Sequence, residues 1–443
     1  MRATDKGKLK TLVCQAIDTN AAKIKAYADS VAAEPELGFK ELKTAAKLQK
    51  EFASLGIPYE TKLALTGVKG RLKGGHKGPA IAILGELDAI GCPEHPQADP
   101  LTGAAHACGH HLQQAAMLGA AYGLATSGVM QQLAGEVIFF GVPAEEYVEL
   151  AYRKKLKAAG KIHYLHGKGE LIYEGAFDDI DMAMQIHSEK NTPGTVVAIG
   201  QSSNGFVGKT IQYKGRTAHA ANAPEDGINA LNAAMLGIMG INALRETFRD
   251  QDIVRVHPII TKGGDLVNNV PSDVRLETYV RAKTMEAIEL TSQKVDAALR
   301  AGGAAIGAKV NIDTMPGELP LICNSSLNEL FVKNAQLANP QVEIKDAGHF
   351  YASTDMGDVS HLMPAIHPFI GGVNGLLHSK EFCVTDFSAA ALLPAKIFAM
   401  LMIDLLADEA SQAHRILAAY KPALTKEAYI KKLDSYFSLA QDS

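Results

Sequence analysis

A cluster of metal-binding residue types opens a run of small apolar residues in the first third of the chain. The stretch "GAAHACGHHLQQAAMLGAA", residues 103–121, contains His106, Cys108, His110 and His111. Cys108 and His110 are two positions apart in a loop that enters a predicted helix, so they can point the same way, and thiolate with imidazole suits Zn²⁺ and similar divalent ions. Alternatively, the polar residues cap the helix and Cys108 is a small buried apolar side chain. The cysteine and the histidine together favour the metal site.

Two adjacent carboxylates, Glu145 and Glu146, follow a predicted buried strand that ends at Pro143. One interpretation is structural, because proline, which lacks an N–H, suits the start of a helix and the helix dipole favours acidic residues in the first turn. The other is catalytic, since adjacent carboxylates at the carboxyl end of a strand can divide the work between metal binding and general-base catalysis.

Three further side chains are weaker candidates when taken singly. Asp88 suits either a turn or the orientation of a ligand histidine. His187, in "MAMQIHSE", is more typical of a core histidine by its spacing, whereas His378 lies in a glycine-rich loop, which favours a functional role. Spacing alone leaves these alternatives open.

The elements around these residues alternate between strand and helix patterns. Helical periodicity extends to about residue 55, and "GPAIAILGELDAI" and "GEVIFFGVPAEE" read as buried strands on either side of a helix that ends near residue 127. This order predicts a βαβ unit and a mostly parallel sheet. Ligands bind at the carboxyl ends of such strands, where residues 86–88, residues 144–146 and His187 all fall.

The pattern changes near Pro193 to alternating strands and two helices, an order that suits a small sheet with two helices on one face. We therefore predict an α/β protein. Residues 1–199 and 316–443 would form a discontinuous catalytic domain, with a mostly parallel sheet and helices on both faces. Residues 200–315 would form a smaller inserted α+β lid or dimerisation domain.

Length, charge and cysteine usage limit the function classes. A chain of 443 residues exceeds what one core usually supports. The formal net charge of -4 and the lack of a long basic run argue against nucleic acid or an anionic membrane as a partner. No signal-peptide pattern or apolar run long enough to span a bilayer is evident, and five scattered cysteines are typical of reduced thiols. We expect a cytoplasmic protein.

Seven motifs occur in an order that resembles a known family: "HACGH", "PAEE", a lone "IH", "GRTAHAANAPEDGINAL", "NNVP", "STDMGDVS" and "HSKEF". From about Ala33 to Leu393 the chain is similar to the two-metal amidohydrolases and aminoacylases, which include hippurate hydrolase, auxin-conjugate hydrolases and aminobenzoyl-glutamate hydrolase. "GELDAI" followed by "HACGH" most resembles the branch of aminobenzoyl-glutamate hydrolase and its related dipeptidases.

The resemblance implies a complete site with two divalent ions, zinc or manganese. The implied metal ligands are Cys108, which the two ions share, and His110, Glu146, His187 and His378. Glu145 would be the general base, and Asp88 the partner that orients a ligand. His219 would be presented by the lid to the active site of a partner subunit in a homodimer and stabilise the oxyanion, with Asn268, and less strongly Arg281, near the substrate carboxylate.

The expected activity is hydrolysis of the amide bond of an N-acyl, aminobenzoyl or aminoacyl amino acid. The alternatives are a dipeptidase or aminopeptidase of the same fold, and a homologue that binds metal without catalysis. Two departures from the family pattern bear on which substrate is bound more than on the reaction itself. His111 stands where many relatives have Asp or Asn, and the basic segment after Glu146 replaces a short glycine-rich stretch, so we expect that segment to shape the pocket rim.

Overall fold

The computed structural model describes residues 5–190 and 192–441. Its helices are α1 (Lys6–Thr19), α2 (Ala21–Ala32), α3 (Leu42–Ser54), α4 (His110–Thr126), α5 (Leu150–Ala158), α6 (Gly167–Glu174), α7 (Ala230–Leu244), α8 (Met285–Ile306), α9 (Ser325–Ala338), α10 (Met356–Ser360), α11 (Leu393–Ala419) and α12 (Lys426–Tyr436). Its strands are β1 (Tyr59–Leu63), β2 (Gly67–Lys73), β3 (His76–Glu86), β4 (Ile90–Gly91), β5 (Ala104–Ala105), β6 (Ala134–Val142), β7 (Met182–Met184), β8 (His187–Ser188), β9 (Val196–Ile199), β10 (Ser202–Ser203), β11 (Gly205–Lys214), β12 (Arg255–Val256), β13 (Ile259–Lys262), β14 (Asp273–Ala282), β15 (Lys309–Pro316), β16 (Glu343–Asp346), β17 (His349–Phe350), β18 (Ala365–Ile366), β19 (Phe369–Ile370), β20 (Val373–Asn374), β21 (Cys383–Val384) and β22 (Ser438–Gln441).

The chain forms two compact units. The large unit comprises the chain up to Ser202, Ile322–Gly348 and Asp358–Ala423, and the small unit comprises Ser203–Leu321, His349–Gly357 and the chain from Leu424 onward. The sequence pattern predicts that all of residues 316–443 belong to the catalytic domain. The end of the chain instead joins the small unit, because β22 pairs with β15 and α12 packs against the same strand.

The main sheet of the large unit has the strand order β1-β2-β6-β3-β7-β18. Strands β6, β3, β7 and β18 are parallel, and β2 and β1 extend the sheet in antiparallel orientation. Helices cover both faces: Gly85 lies against α4, whereas the next residue, Glu86, reaches Lys168 of α6. The centre of β3 is fully buried, as its continuous apolar run predicted. The predicted α/β class is confirmed.

One helical stretch, Ser388–Ala419, is long and apolar enough to cross a bilayer by length and composition, contrary to the sequence analysis. Its most apolar window is 78% buried inside the protein, and it packs against α1, α4 and α9. The stretch also contains non-helical backbone at Ala407–Ala410. These contacts are those of the core helix of a globular protein.

The small unit is an antiparallel sheet, β12-β14-β11-β15-β22, with β13 also paired to β14. Helices α7 and α8 pack on each other and share one apolar core with the sheet, in which Tyr213, Leu276 and Leu299 are buried. This is the smaller α+β domain with two helices on one face that the sequence predicted.

Candidate metal centre

The first donors of the site are positioned by the turn that begins α4. Gly109 is the residue before the helix and has a φ of 86°, in the left-handed region. A Cβ at Gly109 would lie 2.6 Å from the Ser188 hydroxyl oxygen, so both the conformation and the packing require glycine. The turn places Cys108 just before the helix and His110 at its first position, both buried.

Five donor side chains, Cys108 among them, converge from four segments of the large unit. Cys108 Sγ lies 3.4 Å from His187 Nε2 and 3.2 Å from His378 Nε2. His378 Nε2 is in turn 3.0 Å from Glu146 Oε1. The donor atoms of Cys108, His110 and His187 form one compact group within 4.8 Å, and those of Cys108, Glu146 and His378 form a second. Cys108 is common to these two groups, an arrangement suited to two neighbouring cations, and Glu86, His110 and Glu145 form a third group that shares His110.

Hydrogen bonds to the far ring nitrogens orient the histidines. His110 Nδ1 lies 2.9 Å from the Asp88 carbonyl oxygen, and His187 Nδ1 lies 2.9 Å from the Ser188 carbonyl oxygen. Each Nδ1 therefore carries the proton, and each Nε2 is left to bind a cation. The Glu146 backbone N–H donates to Asp88 Oδ2 over 3.0 Å, so Asp88 connects the two ligand segments.

The electrostatics of the cluster favour a cation. Burial, reinforced by Glu146 and Glu145, raises the pKa of the Cys108 thiol well above its usual range. Burial alone would lower the pKa of His110, but Glu86 and Asp88 outweigh it and raise that pKa to about 10. His110 Nε2 and Glu146 Oε1 are both buried, 3.1 Å from Glu86 and 3.0 Å from His378 respectively. Thiolate, imidazole and carboxylate donors with excess negative potential fit divalent metal ions.

Glu86 is a buried carboxylate next to this cluster, and no functional role was predicted for it from the sequence. Its carboxylate is fully buried and accepts hydrogen bonds from Lys168 over 2.7 Å, Gln185 over 2.6 Å and Gln113 over 2.8 Å. It also lies 3.1 Å from His110 Nε2. Burial would raise the pKa of Glu86, but Lys168 and His110 outweigh it and lower that pKa below its usual range. The alternation of Glu86 and Asp88 at the end of β3 was the available sequence signal.

The other two histidines of the motif are directed elsewhere. The rings of His106 and His111 are buried 5.3 Å apart. Burial, with help from His110, lowers the pKa of His111 to about 3. Among the residues that the structure describes, neither ring belongs to a compact donor group. His111 is thus a buried, neutral residue outside these donor groups.

The remaining predicted site residues lie in the small unit. His219 and Asn268 are exposed on adjacent loops, joined by a hydrogen bond of 2.8 Å from the Ala220 N–H to the Asn268 carbonyl oxygen. Arg281 is near the opposite end of β14 from the Asn268 loop. Its guanidinium donates to the Ser353 hydroxyl over 2.6 Å and lies over the Phe206 ring. Within this unit the structure brings His219 and Asn268 together but not Arg281.

An α/β unit with a cysteine shared between two donor groups suits a metal-dependent hydrolase. The model of peptidase family M20/M25/M40 matches residues 82–400, and the chain belongs to this family. It is a metallo-amidohydrolase that acts on amide bonds.

Relatives and solved structures agree with this assignment. The chain is 28% identical to the Xaa-Arg dipeptidase of Mus musculus over 422 residues, covering 90% of this chain and 89% of the relative. It is 27% identical to the N-acetyl-L-cysteine deacetylase of Bacillus subtilis over 349 residues, covering 76% of this chain and 77% of the relative. A Bacillus subtilis structure described as a dinuclear metal-binding M20 peptidase shares the fold, with a TM-score of 0.66, 20% identity and coverage of 88% of this chain and 99% of the other.

Proposed function

We propose that this protein hydrolyses the amide bond of an N-acyl or aminoacyl amino acid, with Glu145 as the general base. The observation that carries the proposal is the convergence of Cys108, His110, Glu146, His187 and His378 beside this glutamate. Divalent ions held by these donors would supply Lewis acidity, which lowers the pKa of water and polarises a carbonyl oxygen.

Glu145 is suited to proton transfer by its position. Its side chain is 12% exposed, and Oε2 lies 3.9 Å from His110 Nε2, so it is close to the donors and still accessible. In this role Glu145 takes a proton from the attacking water and delivers it to the nitrogen of the departing amine. One carboxylate thereby serves both halves of the reaction.

His219 is suited to donate a hydrogen bond to the oxyanion. Its Nδ1 accepts hydrogen bonds from the backbone N–H groups of Ala221 over 3.2 Å and Asn222 over 3.0 Å. The neutral ring therefore carries its proton on Nε2, which is left as a donor on an exposed loop. We infer that this donor serves the active site of the partner protomer, with Asn268 beside it near the substrate carboxylate.

A homodimer formed through the small unit would bring His219 to a partner. Helix α7 exposes Met235 and Met239, and edge strand β13 exposes Ile259 and Ile260, each by 44–62% of its surface. Within the described residues β13 pairs with β14 on one side only, so its other edge and the apolar face of α7 suit the same surface of a second copy, which would extend the sheet and bury these side chains.

A substrate panel tests the proposal and distinguishes hydrolysis of acyl-amino acids from hydrolysis of dipeptides. The match to the mouse Xaa-Arg dipeptidase covers 90% of this chain, which favours a dipeptide with a C-terminal arginine as the second candidate substrate. Purified protein loaded with Zn²⁺ or Mn²⁺ would be assayed on acetyl-, benzoyl- and aminobenzoyl-amino acids and on dipeptides with C-terminal Arg, Glu or Leu. Release of free amino acid that depends on Glu145 supports the proposal. Hydrolysis of dipeptides alone favours the dipeptidase, and inactivity on every amide under both metals contradicts both activities.

A further inference from the structure

The segment after Glu146 forms helix α5, and the centre of that helix is a buried arginine. Arg153 is 1% exposed, whereas its neighbour Lys155 faces solvent. Burial of a guanidinium costs free energy unless hydrogen bonds compensate the charge. A fully buried arginine in an otherwise lysine-rich helix therefore indicates a specific partner.

The partners of Arg153 are carbonyl oxygens of the loop that carries the two glutamates. Nη2 donates to the Glu146 carbonyl oxygen, and Nη1 lies 3.4 Å from the Ala144 carbonyl oxygen, so the guanidinium contacts the backbone on both sides of Glu145. Nη1 also donates to the Leu165 carbonyl oxygen over 2.5 Å. The plane of the guanidinium lies over the ring of Phe39, with 5.3 Å between Cζ and the ring centroid.

A carboxylate holds the same loop from its other side. Glu41 is fully buried, and its Oε1 accepts the Ala144 N–H over 2.8 Å. Ala144 has a φ of 52°, a left-handed conformation that is unfavourable for a residue other than glycine. The space is also restricted, because a Cβ at Gly38 would lie 2.5 Å from Arg153 Nη2 and 2.9 Å from Ala144 Cα. The loop is therefore kept in an unfavourable conformation by groups on both sides.

We propose that Arg153 is a positioning residue for the reaction. Its hydrogen bonds fix the backbone of residues 144–146, so that the Glu145 carboxylate is oriented for proton transfer and the Glu146 carboxylate for metal binding. The basic segment after Glu146 thus supports the catalytic loop from within the fold. This inference rests on the proposed roles of Glu145 and Glu146.

The experiment compares Arg153→Ala and Arg153→Lys with Lys155→Met, a control on the exposed face of the same helix. Each variant would be assayed for kcat, KM and affinity for Zn²⁺ in competition with a chelator. We expect Arg153→Ala to lose about 10- to 100-fold in kcat or metal affinity, the scale for partners that orient metal ligands, with KM within about threefold. The ammonium group of lysine cannot donate hydrogen bonds in the planar geometry of a guanidinium, so Arg153→Lys should retain only part of the kcat and metal affinity that Arg153→Ala loses. Millimolar guanidinium chloride should partly restore kcat in Arg153→Ala, and Lys155→Met should match the wild type.

A purely structural role gives a different pattern. If Arg153→Lys, or a folded Arg153→Ala, shows wild-type kcat and metal affinity and only a lower melting temperature, the inference is wrong. If Arg153→Ala does not fold, Arg153→Lys decides alone by the same criterion. Failure of the proposed function is recognised separately, because the wild type would then be inactive on every amide, or Glu145→Gln would retain full activity whatever the Arg153 variants do.

Discussion

At the scale of single residues, the two adjacent glutamates are expected to have different functions. Glu146 is 3.0 Å from His378 and its backbone is held by Asp88, whereas Glu145 retains access to solvent. Glu145→Gln should leave metal content near normal and reduce kcat by about 100-fold or more, since the general base is lost. Turnover and metal analysis of the same preparation check this.

The neighbouring glutamate Glu149 provides the control for that variant. It pairs with Lys40 at 2.7 Å, partly exposed, so Glu149→Gln should retain both activity and metal. Loss of metal from Glu145→Gln would show that Glu145 is a ligand and that the roles of the two glutamates are exchanged.

Lys168 is expected to stabilise the buried carboxylate next to the site. It is fully buried with its ammonium 2.7 Å from Glu86, which lies beneath His110. Removing one partner of a buried pair leaves an uncompensated charge, so Lys168→Met should lower the free energy of unfolding by about 3–5 kcal/mol. Urea denaturation of chelator-treated protein measures this. The double variant Glu86→Gln with Lys168→Met should be more stable than Lys168→Met alone. Equal stability of the two variants would show that Glu86 and Lys168 do not stabilise each other.

At the scale of elements, the turn into α4 determines whether the donors meet. Gly109→Ala introduces a residue at a φ of 86° and a Cβ 2.6 Å from the Ser188 hydroxyl oxygen. Because Cys108 and His110 flank this position, we expect metal affinity to fall by at least tenfold. Metal competition titration measures the effect.

Gly128 is a matched control for the conformational strain. It has a φ of 74° and nothing within 4 Å of an added Cβ. Gly128→Ala should therefore cost about 1–2 kcal/mol of stability and leave metal affinity unchanged. Equal metal affinity in the two alanine variants would mean that the Gly109 turn does not determine the donor geometry.

The sequence predicted the elements better than the contacts between them. The apolar runs of β3 and β6, with the run of small apolar residues in α4 between them, identified the βαβ unit, because burial on all sides leaves a local pattern. Arg153 and Lys168 leave no such pattern. Their partners are carbonyl oxygens or residues as distant as Glu86, so a basic segment that read as a pocket rim proved to contain two buried cations. The assignment of β22 failed for the same reason, since its partner β15 is far away in the chain.

At the scale of the whole molecule, the proposal requires residues from two chains at each active site. Glu145→Gln and His219→Ala should each be inactive, the latter by about 100- to 1000-fold in kcat, the effect of losing one oxyanion donor. After the two proteins exchange protomers, a mixed dimer would contain one site with Glu145 from one chain and His219 from the other. Activity should therefore reappear, with at most one working site per mixed dimer. Verified mixed dimers that stay inactive would show that His219 does not act on the site of the partner protomer.

The most direct test of the central claim is a metal titration that follows catalysis and bound metal together. Protein stripped by a chelator would receive Zn²⁺ or Mn²⁺ while amide hydrolysis and metal content are measured on the same samples. We predict no hydrolysis without metal and a return of activity as up to two ions bind per chain, with Cys108→Ala binding fewer ions and remaining inactive. Full amide hydrolysis by metal-free protein, or metal binding and activity unaffected by Cys108→Ala, would contradict the account.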